Sequence, residues 1–190
     1  MEAVIVIDML NDFVTGKLKT DRAKHIIPNI KRLIQAARNN NIPVIYTNDA
    51  HLPADPELKK WGEHAMKGTE GAAVIPQLKP AKGDYVFEKR TYSGFFETGL
   101  DLLLREMGVD TIVLTGLDTN ICVRHTAADA FFRGYKIVVP KDATEALNEQ
   151  EYRQGLEYIR KVYDADITET NDIVRRWSGD QVGQLNLGQC

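Results

Sequence analysis

The chain has 190 residues, 43% of them hydrophobic and 27% charged, the profile of one globular domain whose core needs no covalent staples. Its net charge of −3 is spread over interspersed acids and bases, which excludes the clustered Lys/Arg face of a duplex binder. Two cysteines, Cys122 and Cys190, exclude a disulfide scaffold and point to a reducing, cytoplasmic setting, while the opening MEAVIVIDML lacks the features of a signal peptide or membrane span.

In chain order, Ala3–Ile7 is an unbroken apolar run of the kind that parallel sheets cover on both faces, and it ends at Asp8. From Asp21 to Arg38, Ile26, Ile27, Ile30, Leu33, Ile34 and Ala37 recur at helical spacing. Pro43–Thr47 is the next predicted strand, followed by Asn48 and Asp49. Residues 50–83, punctuated by prolines and glycines, read as one long loop, which in a compact domain signals function rather than a spacer. A short strand, Tyr85–Phe87, leads to Glu88 and Lys89, and a helix over Leu100–Met107 stops at Gly108. Strand Thr111–Thr115 runs into Gly116-Leu117-Asp118-Thr119-Asn120, and a helix from Ile121 to Phe132 follows. Strand Lys136–Val139, a helix near Asn148–Tyr163 and a short strand at Asp166-Ile167 complete the pattern. The domain is expected to span 1–177, with 178–190 as a mobile tail. This alternation predicts an α/β three-layer sandwich, a mostly parallel sheet with helices on both faces. Ligands of such sheets gather beyond the carboxyl ends of the strands, where Asp8, Asp49, Lys89 and Asp118–Cys122 all fall.

Cys122 sits in the first turn of a predicted helix, where free N–H groups and the dipole stabilise a thiolate, lower its pKa and can receive an oxyanion. The same position suits a small buried hydrophobe. Asp8, at the end of an apolar strand, is either a turn residue or a working carboxylate, since burial without a partner is costly. Lys89 lies between charged neighbours and would pass for surface. Brought together, the three make a coherent unit: the carboxylate takes the thiol proton and the ammonium keeps that carboxylate ionised. Asp49, His51 and His64 suit either a divalent cation or loop hydrogen bonding. Phe13 and Trp61 suit either the walls of a flat pocket or the core. Arg124 and His125 read as packing or interface groups.

Five blocks in this order carry a resemblance: IVIDMLNDF (5–13), VIYTNDAH (44–51), WGEHAMKGTEGA (61–72), EKRTYSGFFET (88–98) and LTGLDTNICVRHTAADAFFRGY (114–135). They resemble the isochorismatase-like cysteine hydrolases, which include nicotinamidases, N-carbamoylsarcosine amidases and ureidoacrylate amidohydrolases. The resemblance implies a six-stranded parallel sheet flanked by helices and a catalytic triad of Asp8, Lys89 and Cys122. It also implies a cis peptide between Leu117 and Asp118 that turns the Asp118 N–H towards that of Cys122 as an oxyanion hole. In isochorismatases proper, which cleave a vinyl ether, the cysteine is typically absent, so the thiol favours amide hydrolysis.

Nicotinamidases carry a metal, zinc among the candidates, on residues that match Asp49, His51 and His64, and they sandwich the ring between aromatics that match Phe13 and Trp61. They often add a further histidine after the second ligand, where this chain reads LPADPEL. WGEHAMKGTEG and GLDTNICVRHTAADA are also similar to the carbamoyl-amidase branch. The expected activity is thus cleavage of a small-molecule amide C–N bond with release of ammonia, the triad itself requiring no cofactor. Nicotinamide is the lead substrate, and an N-carbamoyl amino acid or ureidoacrylate is the alternative. From another class, an inactive binding or scaffold protein is set against it by the intact triad positions. A homo-oligomer, dimer or tetramer, is expected, with Phe131-Phe132 as a possible contact, and neither nucleic acid nor membrane as a partner.

Overall fold

The computed structural model describes residues 1–179, so all of the expected tail beyond Gly179, Cys190 included, lies outside the described residues. Strand β1 (Glu2–Ile7) is buried from Ala3 onward, and its unbroken apolar run follows from where the side chains go. Ala3, Ile5 and Ile7 enter one core with Ile112, Leu114, Val123, Ala127 and Ile159, while Val4 and Val6 enter another with Ile30, Leu33, Ile34 and Tyr46. Alternation along the strand thus feeds two cores, one on each face of the sheet. Each buried Ile or Val contributes roughly 1.5–3 kcal/mol, an upper figure because the unfolded chain already hides part of its surface.

The further strands are β2 (Val44–Asp49), β3 (Tyr85–Lys89), β4 (Thr111–Leu117), β5 (Lys136–Pro140), β6 (Thr144–Glu145) and β7 (Asp166–Thr168). All pair in parallel, in the order β3-β2-β1-β4-β5-β7, with β6 joined to the end of β4 through Gly116↔Thr144 and Leu117↔Glu145. The sheet therefore has seven strands, not the expected six; the two-residue β6 is too short to leave a periodic signal. The helices are α1 (Asn11–Val14), α2 (Ala23–Asn39), α3 (Leu58–Trp61), α4 (Leu100–Glu106), α5 (Arg124–Phe132), α6 (Glu149–Tyr163) and α7 (Thr170–Trp177). Helix α7, absent from the sequence reading, packs Ile173, Val174 and Trp177 into the core under α2. Among the described residues no helix is long and apolar enough to cross a membrane.

From β1 the chain winds outward through β2 and β3 on one side and, returning, through β4, β5 and β7 on the other. The crevice beyond β1 and β4 is therefore the switch point at which such sheets hold ligands. β4 reaches it by passing very close to β1. Gly116 has φ +102°, and a Cβ there would stand 2.0 Å from the Ile7 carbonyl oxygen, so only glycine fits. The 50–83 segment is mostly irregular, as expected, but it is tied down by bridges Leu10↔Val74 and His51↔Met66.

Candidate active site

Asp8 is the first residue past β1, with φ at 52°, and this left-handed turn directs its carboxylate back into the crevice. Aspartate is one of the few residues that tolerates the conformation. Asp49 and Lys89 end β2 and β3, side by side in register. Lys89 is fully buried, and its Nζ lies 2.8 Å from Asp8 Oδ2, 2.5 Å from Asp49 Oδ1 and 3.7 Å from Cys122 Sγ. Asp8 Oδ1 accepts the Asp49 N–H at 2.8 Å. Oxygen atoms of Asp8 and Asp49 and the sulfur of Cys122 all lie within 4.8 Å of one another. Three strands and one turn thus deliver a thiol, two carboxylates and an ammonium to one point.

The electrostatics follow from burial and charge count. Burial pushes the Asp8 carboxyl up, Asp49 adds to this, and the Lys89 ammonium only partly offsets them, leaving a pKa of about 6. Burial would raise Asp49 too, but Lys89 and His51 outweigh it and hold Asp49 below the usual range. Burial acts against the Lys89 charge, yet Asp49 and Asp8 drive its pKa well up, so it stays an ammonium. The Cys122 thiol departs from expectation. Burial pushes it well above the ordinary value, Lys89 opposes, and Asp8 and Asp49 reinforce the rise. Cys122 also stands in a π-helical turn, Thr119–Val123, ahead of α5 rather than in the first turn of an α-helix. The turn is closed by the Asp118 carbonyl, which accepts the N–H groups of Ile121 and Val123, and the Leu117–Asp118 peptide is cis, as the resemblance implies.

Beside this cluster, Asp49, His51, Glu57 and His64 offer ligand atoms within 4.8 Å of one another. Their fit to a divalent cation rests on which atoms are left over. His51 Nδ1 is held by Asp55 Oδ2 at 3.1 Å and His64 Nδ1 by the Gly62 carbonyl at 2.8 Å, leaving Nε2 of each ring. His51 Nε2 and Glu57 Oε1 are buried without a hydrogen-bond partner. Buried orphan atoms of this kind on a His₂/carboxylate set match the donors of a zinc-type site, with outer partners fixing the rings. Asp55 is itself anchored by Arg90, whose guanidinium pulls its pKa down to about 2.

A cavity of about 300 Å³ opens between the two clusters, with Phe13, Trp61, His64, Asp118 and Cys122 among its walls. Phe13 meets His64 edge-on at 5.6 Å, and Trp61 Nε1 donates to Tyr92 Oη at 3.2 Å.

The isochorismatase domain model matches residues 2–172. The chain belongs to the isochorismatase family.

Among solved isochorismatase-like structures, N-carbamoylsarcosine amidase from Thermoplasma acidophilum is 45% identical, covering 90% of this chain and 96% of that one at TM-score 0.85. Nicotinamidase PncA from Bacillus subtilis is 34% identical, covering 88% and 99% at TM-score 0.84. Among curated relatives, ureidoacrylate amidohydrolase RutB of Rhizobium rhizogenes is 32% identical over 90% of this chain and 80% of its own. Within this isochorismatase-family fold, Asp8, Lys89 and Cys122 lie together, and so do Asp49, His51 and His64. Phe13, Trp61 and Asp118 line the cavity that joins them. Arg124 and His125 lie apart, Arg124 over the Tyr158 ring and His125 against Tyr92. Glu57 and Asp55 escape the sequence reading, although Glu57 brings a carboxylate oxygen beside Asp49, His51 and His64 from the segment LPADPEL that lacks a further histidine. Their only signal is acidity close behind His51.

Proposed function

We propose that this isochorismatase-family amidohydrolase cleaves a small amide C–N bond through a thioester on Cys122. The observation that carries the reading is the buried Lys89 ammonium in contact with Asp8, Asp49 and the Cys122 sulfur. Because burial leaves the thiol protonated, a base is needed. Asp8, raised to about 6, is closer to the thiol in proton affinity than an ordinary carboxylate, so the transfer is less uphill. Asp8 takes the proton, sulfur attacks the carbonyl carbon, and the N–H groups of Asp118 and Cys122 receive the oxyanion. Asp8 then returns the proton to the leaving nitrogen, which departs as ammonia, and activates the water that hydrolyses the thioester. Lys89 balances charge throughout.

Asp49, His51, Glu57 and His64 would hold a divalent cation, zinc by donor type, and such an ion supplies a coordination position for a substrate ring nitrogen. Phe13 and Trp61 across one narrow cavity suit a flat ring, so nicotinamide is the lead substrate. A carbamoyl substrate is the second reading, favoured by the 45% identity to an N-carbamoylsarcosine amidase. A cytoplasmic location accords with the thiol's need for reducing conditions, and homo-oligomerisation with the exposed Phe131 and Phe132.

Cys122→Ala tests the scheme. It removes one sulfur atom from a buried position, so the variant keeps its circular-dichroism spectrum and melting cooperativity while ammonia release falls at least about 10³-fold. Ammonia release at the wild-type rate would refute the thioester.

A further inference from the structure

His125 is exposed on the first turn of α5, where it lines the outer groove, and it touches two parts of the active-site cavity without being one of its walls. Its Nδ1 lies 2.7 Å from the Ile121 carbonyl oxygen. A carbonyl can only accept, so Nδ1 carries the proton and donates. Ile121 directly precedes Cys122, and its carbonyl also accepts the Arg124 N–H at the end of the π turn. The imidazole thus adds a second donor at the junction where the rare π geometry gives way to α5.

The same ring packs against Tyr92, with centroids 5.2 Å apart and planes at 40°. Tyr92 is a wall of the cavity, and its Oη accepts the Trp61 Nε1–H at 3.2 Å. An indole N–H can only donate, so this acceptor sets which way the indole faces. Helix α3, which ends in Trp61, has no fully buried residue, and core packing does little to hold that wall. Tyr92 in turn rests on the edge of the core and on the imidazole. One side chain therefore reaches the turn that carries the sulfur by a hydrogen bond, and the opposite wall by a ring contact.

We propose that His125 is a positioning residue of this cavity, setting through Ile121 where the Cys122 sulfur stands and through Tyr92 where the Trp61 wall stands. The inference rests on the reading of the cavity as the place where Cys122 acts on a bound amide. The two arms have different kinetic consequences. The hydrogen bond bears on the attacking atom and so on kcat, while the ring contact bears on the wall that receives the substrate and so on KM.

Two substitutions separate the arms. His125→Phe keeps a ring against Tyr92 and removes the donor. His125→Asn removes the ring and keeps a donor, since the amide nitrogen takes the place of Nδ1. With nicotinamide as the probe, His125→Phe is expected to lower kcat about fivefold, the scale of one hydrogen bond. His125→Asn should raise KM about threefold or more, the scale of one aromatic contact. Tyr92→Phe, which leaves the Trp61 N–H without its acceptor, should raise KM in the same way, and the double variant by clearly less than the product of the two.

Two further readouts need no substrate. The chain has two tryptophans, so in a Trp177→Phe background emission reports Trp61 alone. His125→Asn and Tyr92→Phe should each move that emission to longer wavelength, and His125→Phe should not. The rate at which iodoacetamide alkylates Cys122, followed on its own peptide, should change in His125→Phe and hold in His125→Asn. A histidine that merely supports the fold would shift kcat and KM together in both variants, in step with a lower melting temperature. That pattern, or emission and alkylation that neither variant moves, would overturn the inference. If the wild-type protein releases no ammonia from nicotinamide while emission and alkylation respond as expected, the lead substrate falls and the positioning role stands. Ammonia release by Cys122→Ala would remove the thioester reading and this inference with it.

Discussion

At Cys122 the loss of water and the nearness of two carboxylates outweigh both the turn's dipoles and the Lys89 ammonium, so the resting sulfur keeps its proton. The expectation of a lowered pKa counted the dipoles and the lysine, which sequence shows, but not the enclosure, which only the fold supplies. The same enclosure acts on Asp118, raised from 3.8 to about 7 chiefly by burial. The folded protein therefore holds a proton there that the unfolded chain releases. The resulting stability is fully present below about pH 4 and is lost as pH rises through about 7. Asp118→Asn should flatten this fall, shrinking the difference in melting temperature between pH 5 and pH 8; an unchanged difference would show that Asp118 ionises freely. Asp8 and Cys122 were legible because each comes after an apolar strand, where an ionisable side chain is conspicuous; Lys89, flanked by Glu88 and Arg90 at the end of a largely exposed strand, stood out only through the resemblance and the partners it would join. Glu57 and Asp55 were not, since the 50–83 segment has no periodicity against which an acid stands out.

Among the elements, the π turn depends on what presses against it. Helix α6 lies over the turn at Gly155, where a Cβ would come 2.9 Å from the Asn120 nitrogen and 3.0 Å from its Cα. Backbone atoms cannot yield as a flexible side chain does, so Gly155→Ala should displace the turn that carries Cys122. A loss of about 1–3 kcal/mol is expected, as for other overpacked contacts, together with a lower kcat. Thermal melts and steady-state kinetics on the same preparation check both, and wild-type values would mean that α6 shifts freely. The strands and the longer helices were readable from apolar runs and helical spacing. The π turn, β6 and α7 were not, because elements of two to eight residues hold too few repeats to fix a period and owe their shape to packing.

For the molecule as a whole, parallel pairing and the reversal of strand order at β1/β4 bring residues 8, 49, 89 and 122 together. The outer surface has a different character. A groove of about 650 Å³ lies against Tyr92 and reaches Phe96 and Phe132, and Phe132 is 71% exposed. Phe131 and Tyr163 continue the aromatic surface. A homo-oligomer through this face should be broken by Phe132→Asp, read as a fall in mass by light scattering after size exclusion, whereas a wild-type protein already at monomer mass would exclude it.

Asp49 belongs to two clusters at once, one oxygen facing the Lys89 ammonium and the other 3.5 Å from His51 Nε2. A cation seated among the histidines and an acyl group carried on sulfur would therefore draw on a single negative charge. Whatever one occupant does to the affinity for the other is returned in equal measure, so the two halves of the cavity form one thermodynamic unit.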